Sequence, residues 1–294
     1  MVASNIGLGA TQAGGYKISA EVLNGIQQAS ANTGVDFSFL MAQAAKESGF
    51  NPDAKAKTSS ASGLYQFVEQ TWLSVVRKHG AEYGLGDMAS KIKIGEDGKL
   101  VVADRALRKE ILDLRRDPEI AAAMAAEHAA DNQTRLDAKL DREVQPVDLY
   151  LAHFLGLQGA VNFLRAMEEN PDQSAAAISP RAAGANKSIF YAADGSPRSL
   201  KQIYDRFEAR MDTEMAAYDD LDDALPTMLA DARASGSIAG SGGDRAVYGN
   251  TNPGGILSPL MLVTLAALPT GRDKDDSVNS SSLFDKPSIG AAGA

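Results

Sequence analysis

The sequence predicts an all-α fold with one small β-hairpin, followed by a flexible C-terminal tail. Three observations support this. Apolar residues recur at helical spacing through most of residues 16–215, and a Gly-Glu-Asp-Gly turn separates two short alternating segments in "KIKIGEDGKLVV". After about residue 220 the chain becomes rich in Gly, Ser and Asp. We therefore predict a flexible N-terminus (1–15), a helical domain (16–215) and a low-complexity acidic tail (216–294).

The first helices are defined by their capping residues. Ile18, Val22 and Ile26 share one helical face around Ser19, a suitable N-cap, and Gly34 is a suitable stop. Asp36 can cap the second helix, which is expected to end before Gly49. "FVEQTWLSVVRKHG" predicts a third helix, with basic residues in its last turn.

The later helices follow the same logic. Asp117 and Pro118 form an N-cap followed by proline at the first helical position, and the Ala-rich helix after them is expected to reach about Leu140. Pro146 can open another helix that closes near Gly156. "AVNFLRAMEEN" predicts the next helix, residues 172–198 a loop, and "SLKQIYDRFEARMDTEMAAY" the last long helix.

Composition and charge exclude several classes of function. Of the 294 residues, 44% are hydrophobic and 23% charged, as in ordinary soluble proteins. The net charge is −9 and no cluster of Lys and Arg stands out, so nucleic acid and anionic membranes are poor partners. Without cysteine there are no disulfides or thiolate sites. A Gly-rich phosphate loop and a Gly-x-Ser-x-Gly elbow are also absent from the sequence.

The two ends of the chain bear on location. "MVASNIGLGATQAGG" lacks the basic and apolar regions of a secretory signal peptide, which leaves the export route open. The tail from Ala216 has ten acidic and five basic residues, and thus a net charge of −5. Its apolar segment 256–268 is short for a membrane span and contains Pro259, so we expect it to dock on protein.

One carboxyl group stands out. On the second predicted helix the apolar stripe Phe37, Leu40, Met41, Ala44 continues to Glu47 in the last turn. Partial burial and the negative end of the helix dipole both favour a neutral carboxyl group there. A protonated carboxyl is what a general acid requires. From the pattern alone, the interpretation that Glu47 turns outward at a frayed helix end and has no role is the favoured one.

The residues around Glu47 resemble a known family. "KESGFNPDAKA…SASGLYQF" is similar to the Glu-Ser and Gly-Leu-Met-Gln motifs of lytic transglycosylases related to soluble lytic transglycosylase, with Tyr65 in place of Met. "YLAHFLGLQGA" lies where the family has Ala-Tyr-Asn-Ala-Gly, so His153 and Phe154 replace Tyr and Asn. Tyr150, one turn earlier, could supply the missing hydroxyl. The resemblance spans about residues 20–215.

The resemblance implies a lysozyme-like fold and a peptidoglycan-cleaving enzyme of the periplasm or cell envelope that needs no cofactor and no metal. It implies that Glu47 acts first as acid and then as base, and that the product carries a 1,6-anhydro ring. It further implies a glycan cleft lined by a set of nearby side chains. These are Ser48, Tyr65, Gln66, Tyr150 and His153.

Two alternatives remain open. A hydrolytic muramidase would need a second acid, for which Asp53 and Asp148 are the candidates. A non-catalytic peptidoglycan-binding or assembly module would use the tail to contact an envelope machine, such as a flagellum or a secretion system.

Other residues are interpreted as structural. Glu127 and Asp131 around His128 could ligate a metal, but a solvated helix face is favoured. His79 is expected at the surface, and Trp72 and Phe67 in the core.

Overall fold

The computed structural model describes residues 4–5, 10–57 and 59–221. It is helix-rich, as predicted, and the predicted tail beyond residue 221 lies outside the described residues. The helices are α1 (Ala20–Thr33), α2 (Phe37–Ser48), α3 (Glu69–His79), α4 (Gly86–Lys91), α5 (Arg105–Asp113), α6 (Pro118–Asp137), α7 (Pro146–Leu155), α8 (Leu157–Glu169), α9 (Ala175–Ile178), α10 (Pro180–Ala185), α11 (Lys187–Phe190) and α12 (Leu200–Met215).

The predicted hairpin is confirmed as β4 (Lys93–Ile94) paired antiparallel with β5 (Leu100–Val101). A second, unpredicted sheet lies at the N-terminus, in the order β1 (Ser4–Asn5), β2 (Ala10–Ala13), β3 (Tyr16–Ser19). Its β2–β3 turn is Gly14-Gly15, both at positive φ, which is the geometry of a tight hairpin. The helical pattern expected from residue 16 therefore begins only at Ala20.

The predicted caps are confirmed at several helix ends. Ser19, Asp36 and Asp117 each accept a hydrogen bond from a backbone N–H of the first turn, which satisfies a group that would otherwise lack a partner. Gly34 and Gly49 end α1 and α2 in the left-handed conformation. These caps set where α2 ends and hence where its last turn points.

The segment 172–198 corrects one prediction. It contains the three short helices α9, α10 and α11 rather than a continuous loop. Each is four to six residues long, too short for the apolar periodicity by which longer helices are recognised. Phe190, which is fully buried, stacks on Phe154 of α7 and ties this segment to the core.

The core forms around the Ala-rich helix α6. Gly25 of α1 lies so close to the start of α6 that a Cβ would come within 3.1 Å of Glu119 Cα, and the absence of a side chain at Gly25 permits this approach. Trp72 is fully buried, as predicted, and its indole N–H donates to the carbonyl of Ile111 at 2.7 Å.

Packing continues past residue 215. Tyr218 and Leu221 are buried, and the Tyr218 ring packs edge-on against Phe50 with centroids 5.8 Å apart. The proposed domain limits at 15 and 215 stay predictions. Among the described residues, no helix combines the length and the apolar character that crossing a membrane requires.

Candidate active site

Glu47 occupies the last turn of α2, and its side chain is almost completely enclosed, with 3% exposed. Gly49 turns the backbone sharply, and its N–H and that of Phe50 bond the carbonyls of Ala45 and Ala44. This closure fixes the last turn of α2 instead of letting it fray. Glu47 is therefore held in place at the edge of the core, as the apolar stripe predicts.

A cleft with a volume of about 240 Å³ opens beside Glu47. Helices α2, α6 and α7 and the loop before α3 form its walls. Most of the lining is apolar, with polar groups at a few points, which is typical of a small-molecule or glycan site. The lining includes Phe39, Gln43, Glu47, Tyr65, Gln66, Phe67, His128, Asn132, Arg135, Leu149, His153 and Leu157.

His153 of α7 is the nearest polar partner of Glu47. Its Nε2 lies 3.3 Å from Glu47 Oε1, and its Nδ1 lies 3.4 Å from Nε2 of Gln43. Gln43 is one helical turn before Glu47, so both side chains project from the same face of α2. The three groups form a chain across the wall of the cleft, and the histidine at the altered motif lies beside the candidate acid.

The loop after α2 is held by backbone-directed hydrogen bonds. Ser48 does not line the cleft, because its hydroxyl donates to the carbonyls of Leu64 and Ala44, at 2.7 and 3.2 Å. Gln66 lines the cleft, but its NH2 group donates to the carbonyls of Ala54 and Gly63. The main role visible for both side chains is to shape the loop.

Gly63 and Arg115 explain how the loop packs so closely. Gly63 has φ +85°, and a Cβ there would lie 1.7 Å from the carbonyl oxygen of Arg115. The Arg115 guanidinium, itself buried, donates to the carbonyls of Ser60 and Phe67 at 2.6 and 3.0 Å. The glycine of the Gly-Leu-Tyr-Gln element is thus required by the approach of the segment before α6.

The two candidate tyrosines have different positions. Tyr65 lines the cleft, and its hydroxyl donates to the carbonyl of Leu40. Tyr150 does not line the cleft. It lies on the other side of Glu47, in a small pocket with Lys46, where the Lys46 ammonium donates to its hydroxyl. Burial, and next the nearby Arg210, lowers the pKa of Lys46 to about 8.

Phe154 and Phe67 also differ in setting. Phe154 is buried in the core, packed against Phe190 and Phe207, so of the two replaced motif positions only His153 reaches the cleft. Phe67 is buried as predicted and packs against Trp72, yet it also contributes to the lining of the cleft.

The α6 face of the cleft contains residues that the sequence analysis did not assign to the site. His128, Asn132 and Arg135 are spaced at i, i+4 and i+7 and all line the cleft. Burial lowers the pKa of His128 to about 4, so its ring is neutral at pH 7. The expectation of a solvated face at His128 is therefore wrong. The i, i+4 and i+7 spacing of these three residues places them on one face of α6, as the i, i+4 spacing places Gln43 and Glu47 on one face of α2. This spacing was the sequence signal that could have assigned them to the site.

Glu127 and Asp131 of α6 do not line the cleft and instead meet His79 of α3. The His79 ring, which is buried rather than at the surface as predicted, lies 3.1 Å from Glu127 Oε2 and 3.1 Å from Asp131 Oδ2. Glu82 lies 3.3 Å from His79 Nδ1, so His79, Glu82 and Glu127 have the spacing of a possible cation site. In this structure their groups pair with one another, as expected for an ion-pair network that joins α3 to α6.

The two second-acid candidates are away from the cleft. Asp148 has no exposed side-chain surface and accepts two hydrogen bonds from Arg142, at 2.7 and 2.8 Å, and one from the N–H of Gln145. Asp53 is exposed in the turn after α2. Glu47 is the only carboxyl group among the described residues that line the cleft.

Comparison with protein families identifies the segment that carries this geometry. Residues 24–96 match the transglycosylase SLT domain. The resemblance found in the sequence is thereby confirmed. The SLT match contains Gln43, Glu47 and the whole loop to Phe67, and it supports a peptidoglycan-directed activity of the lytic transglycosylase type. Helices α6 and α7, which complete the cleft with His128 and His153, lie beyond the matched residues.

Proposed function

We propose that this protein is a peptidoglycan lytic transglycosylase in which Glu47 is both acid and base. One observation carries the proposal: among the described residues that line the cleft, Glu47 has the only carboxyl group, and that group is almost completely enclosed. Glu47 also lies within the SLT match. A transglycosylase needs one such group, because the same carboxyl acts in both steps. A glycosidase of the usual two-carboxylate type would need a second.

In the first step, Glu47 donates its proton to the glycosidic oxygen between N-acetylmuramic acid and N-acetylglucosamine, and the bond from this oxygen to C1 of N-acetylmuramic acid breaks. The acetamide of the substrate stabilises the positive charge that develops at C1. Glu47, now a carboxylate, removes the proton from the 6-hydroxyl of the same sugar, whose oxygen bonds to C1. The product is a 1,6-anhydromuramic end, no water is consumed, and Glu47 regains its proton.

The cleft supplies binding groups for a glycan. Phe39, Leu149 and Leu157 offer apolar surface against which sugar rings can pack, while Asn132 offers an amide. Arg135 is exposed at the cleft and brings a positive charge to an otherwise acidic protein. We infer that Arg135 faces the carboxylate groups of muramic acid or its peptide, so an anionic strand binds despite the net charge of −9.

We further propose that the protein acts in the periplasm or cell envelope of a Gram-negative bacterium, with peptidoglycan glycan strands as its substrate. Binding of flagellar or secretion machinery through the tail (216–294) belongs to the same proposal, and residues 222–294 of that tail lie outside the described residues.

The experiment is digestion of purified sacculi followed by mass spectrometry of the released muropeptides. Glu47→Gln keeps the shape of the side chain and removes its acidity, and we expect a rate loss of about 10²- to 10⁴-fold with sacculus binding retained. Asp53→Asn is the matched control, since it removes an exposed carboxyl outside the cleft, and it should cleave at the wild-type rate.

The products separate the alternatives. Anhydromuramic ends support the proposal, whereas reducing ends would show a hydrolytic muramidase. Binding of sacculi without any cleavage by the wild-type protein would show a non-catalytic module.

A further inference from the structure

The amide of Gln43 is an unusual buried group. Its carbonyl oxygen Oε1 is buried and, among the described residues, has no hydrogen-bond partner, while its nitrogen faces Nδ1 of His153 at 3.4 Å. Buried amide oxygens are nearly always paired, so an orphan beside a candidate active site calls for an explanation. The contact of the amide nitrogen with His153 supplies an explanation, because an amide turned to present its NH2 group to Nδ1 points its oxygen away from that partner.

A histidine ring in its neutral form carries one proton, on Nδ1 or on Nε2. Because the NH2 group of Gln43 is a donor, the nitrogen that it faces must be an acceptor. Nδ1 of His153 is then bare, and the proton lies on Nε2, which donates to Oε1 of Glu47 at 3.3 Å. The orientation of one amide therefore determines whether the ring nitrogen that faces the catalytic carboxyl group carries a proton.

This tautomer has a consequence for the reaction. A hydrogen bond from Nε2–H occupies Oε1 of Glu47 whether the carboxyl is neutral or ionised, since Oε1 acts as acceptor in both states. Oε2 is then the oxygen that holds the proton, gives it to the glycosidic oxygen and takes the next one from the 6-hydroxyl. With the opposite tautomer, bare Nε2 would face Oε1 and would either hold the acidic proton or repel the carboxylate.

We propose that Gln43 is a positioning residue that selects the Nε2–H tautomer of His153 and thereby leaves Oε2 of Glu47 free to carry the proton. The inference rests on the proposed function, since it assigns the two oxygens of the same acid and base. Gln43 itself does not exchange a proton with the substrate; it acts through His153.

The direct test is ¹⁵N NMR of protein labelled at histidine. The spectrum is recorded at about pH 8.5, some two units above the usual histidine pKa. The signals of His153 are assigned by their loss in His153→Asn, and the other two histidines serve as internal references. We expect a pyrrole-type Nε2 and a pyridine-type Nδ1 in the wild type. The reverse pattern would overturn the inference, and this measurement requires no active enzyme.

Two substitutions move the tautomer in different ways. Gln43→Glu places a carboxylate at Nδ1 and should protonate that nitrogen while Nε2 keeps its proton, so the ring becomes an imidazolium that favours the ionised form of Glu47. Gln43→Met removes the polar group at similar size and should leave a mixture of tautomers. For both we expect cleavage of sacculi to fall at least about tenfold while sacculus binding changes little, because Glu47 is present but its proton is disfavoured in the first variant and misdirected in the second. Gln28→Glu, at an exposed site on α1, is the control for added charge.

Thermal unfolding followed by circular dichroism shows whether the variants are folded. If both Gln43 variants retain the wild-type rate and the wild-type ¹⁵N pattern, the inference is wrong while the proposed function stands. If the wild type gives no anhydromuramic ends, the proposed function is wrong, and the ¹⁵N pattern alone still decides whether Gln43 selects the tautomer.

Discussion

The ion pair between Arg142 and Asp148 offers the sharpest test of how the cleft is supported. Asp148 is fully buried at the start of α7, the helix that carries His153, and Arg142 gives it two hydrogen bonds. Arg142→Met keeps much of the side-chain volume and leaves the buried carboxylate with two neutral donors, the N–H of Gln145 and the hydroxyl of Tyr204. Removing one partner of a buried pair typically costs about 3–5 kcal/mol.

The expected size follows from the exposure of the two partners. Arg142 is 31% exposed, so water can replace part of its contribution, and we expect the lower end of the range, about 3 kcal/mol. For a domain of this size that loss lowers the melting temperature by about 6–12 °C. Urea unfolding followed by circular dichroism measures the free energy, and calorimetry measures the temperature.

Lys201→Met is the matched control, because Lys201 and Asp205 form an ion pair that is 59% and 49% exposed. That pair should contribute at most about 1 kcal/mol. If Arg142→Met costs no more than Lys201→Met, water or another donor compensates Asp148, and the reasoning from burial is refuted.

Three further predictions concern the loop, the cleft and the domain limit. In Gly63→Ala the alanine would have to adopt φ +85°, and its Cβ would clash with the carbonyl of Arg115. Urea unfolding should therefore show a loss of about 3 kcal/mol or more in the free energy of unfolding, and an unchanged midpoint would contradict the packing described. The pKa of His128 is about 4 in the folded protein and about 6.5 in the unfolded chain, so the unfolded state binds more protons between these values. Stability should therefore fall as the pH drops from 6.5 to 4, by on the order of 2 kcal/mol, and His128→Gln should flatten this dependence in urea titrations at several pH values. A chain ended at residue 215 loses the buried Tyr218 and Leu221, and it should melt lower than a chain ended at 221, with a stability difference of about 3 kcal/mol or more; equal melting curves would support a domain limit at 215.

Much of the fold follows from local signals. Ser19, Asp36 and Asp117 cap helices where predicted, because an N-cap depends on a side chain and the backbone two or three residues away. The hairpin around Gly95–Gly98 follows from its turn. Two kinds of element were missed. The N-terminal strands pair locally, and their Gly14-Gly15 turn is a hairpin signal that was not used. The short helices of 172–198 depend on packing with distant residues such as Phe154.

The sequence by itself determined that Glu47 lies on an apolar stripe at a helix end, that the chain resembles lytic transglycosylases, and that residues 216–294 have a net charge of −5. Only the tertiary structure decided which groups meet Glu47. Its contact with His153 spans more than a hundred residues of chain, and such pairs are set by how α2, α6 and α7 pack and not by spacing. The same packing turned Ser48 toward the backbone, moved Tyr150 to the far side of Glu47, and brought His128 and Arg135 into the cleft.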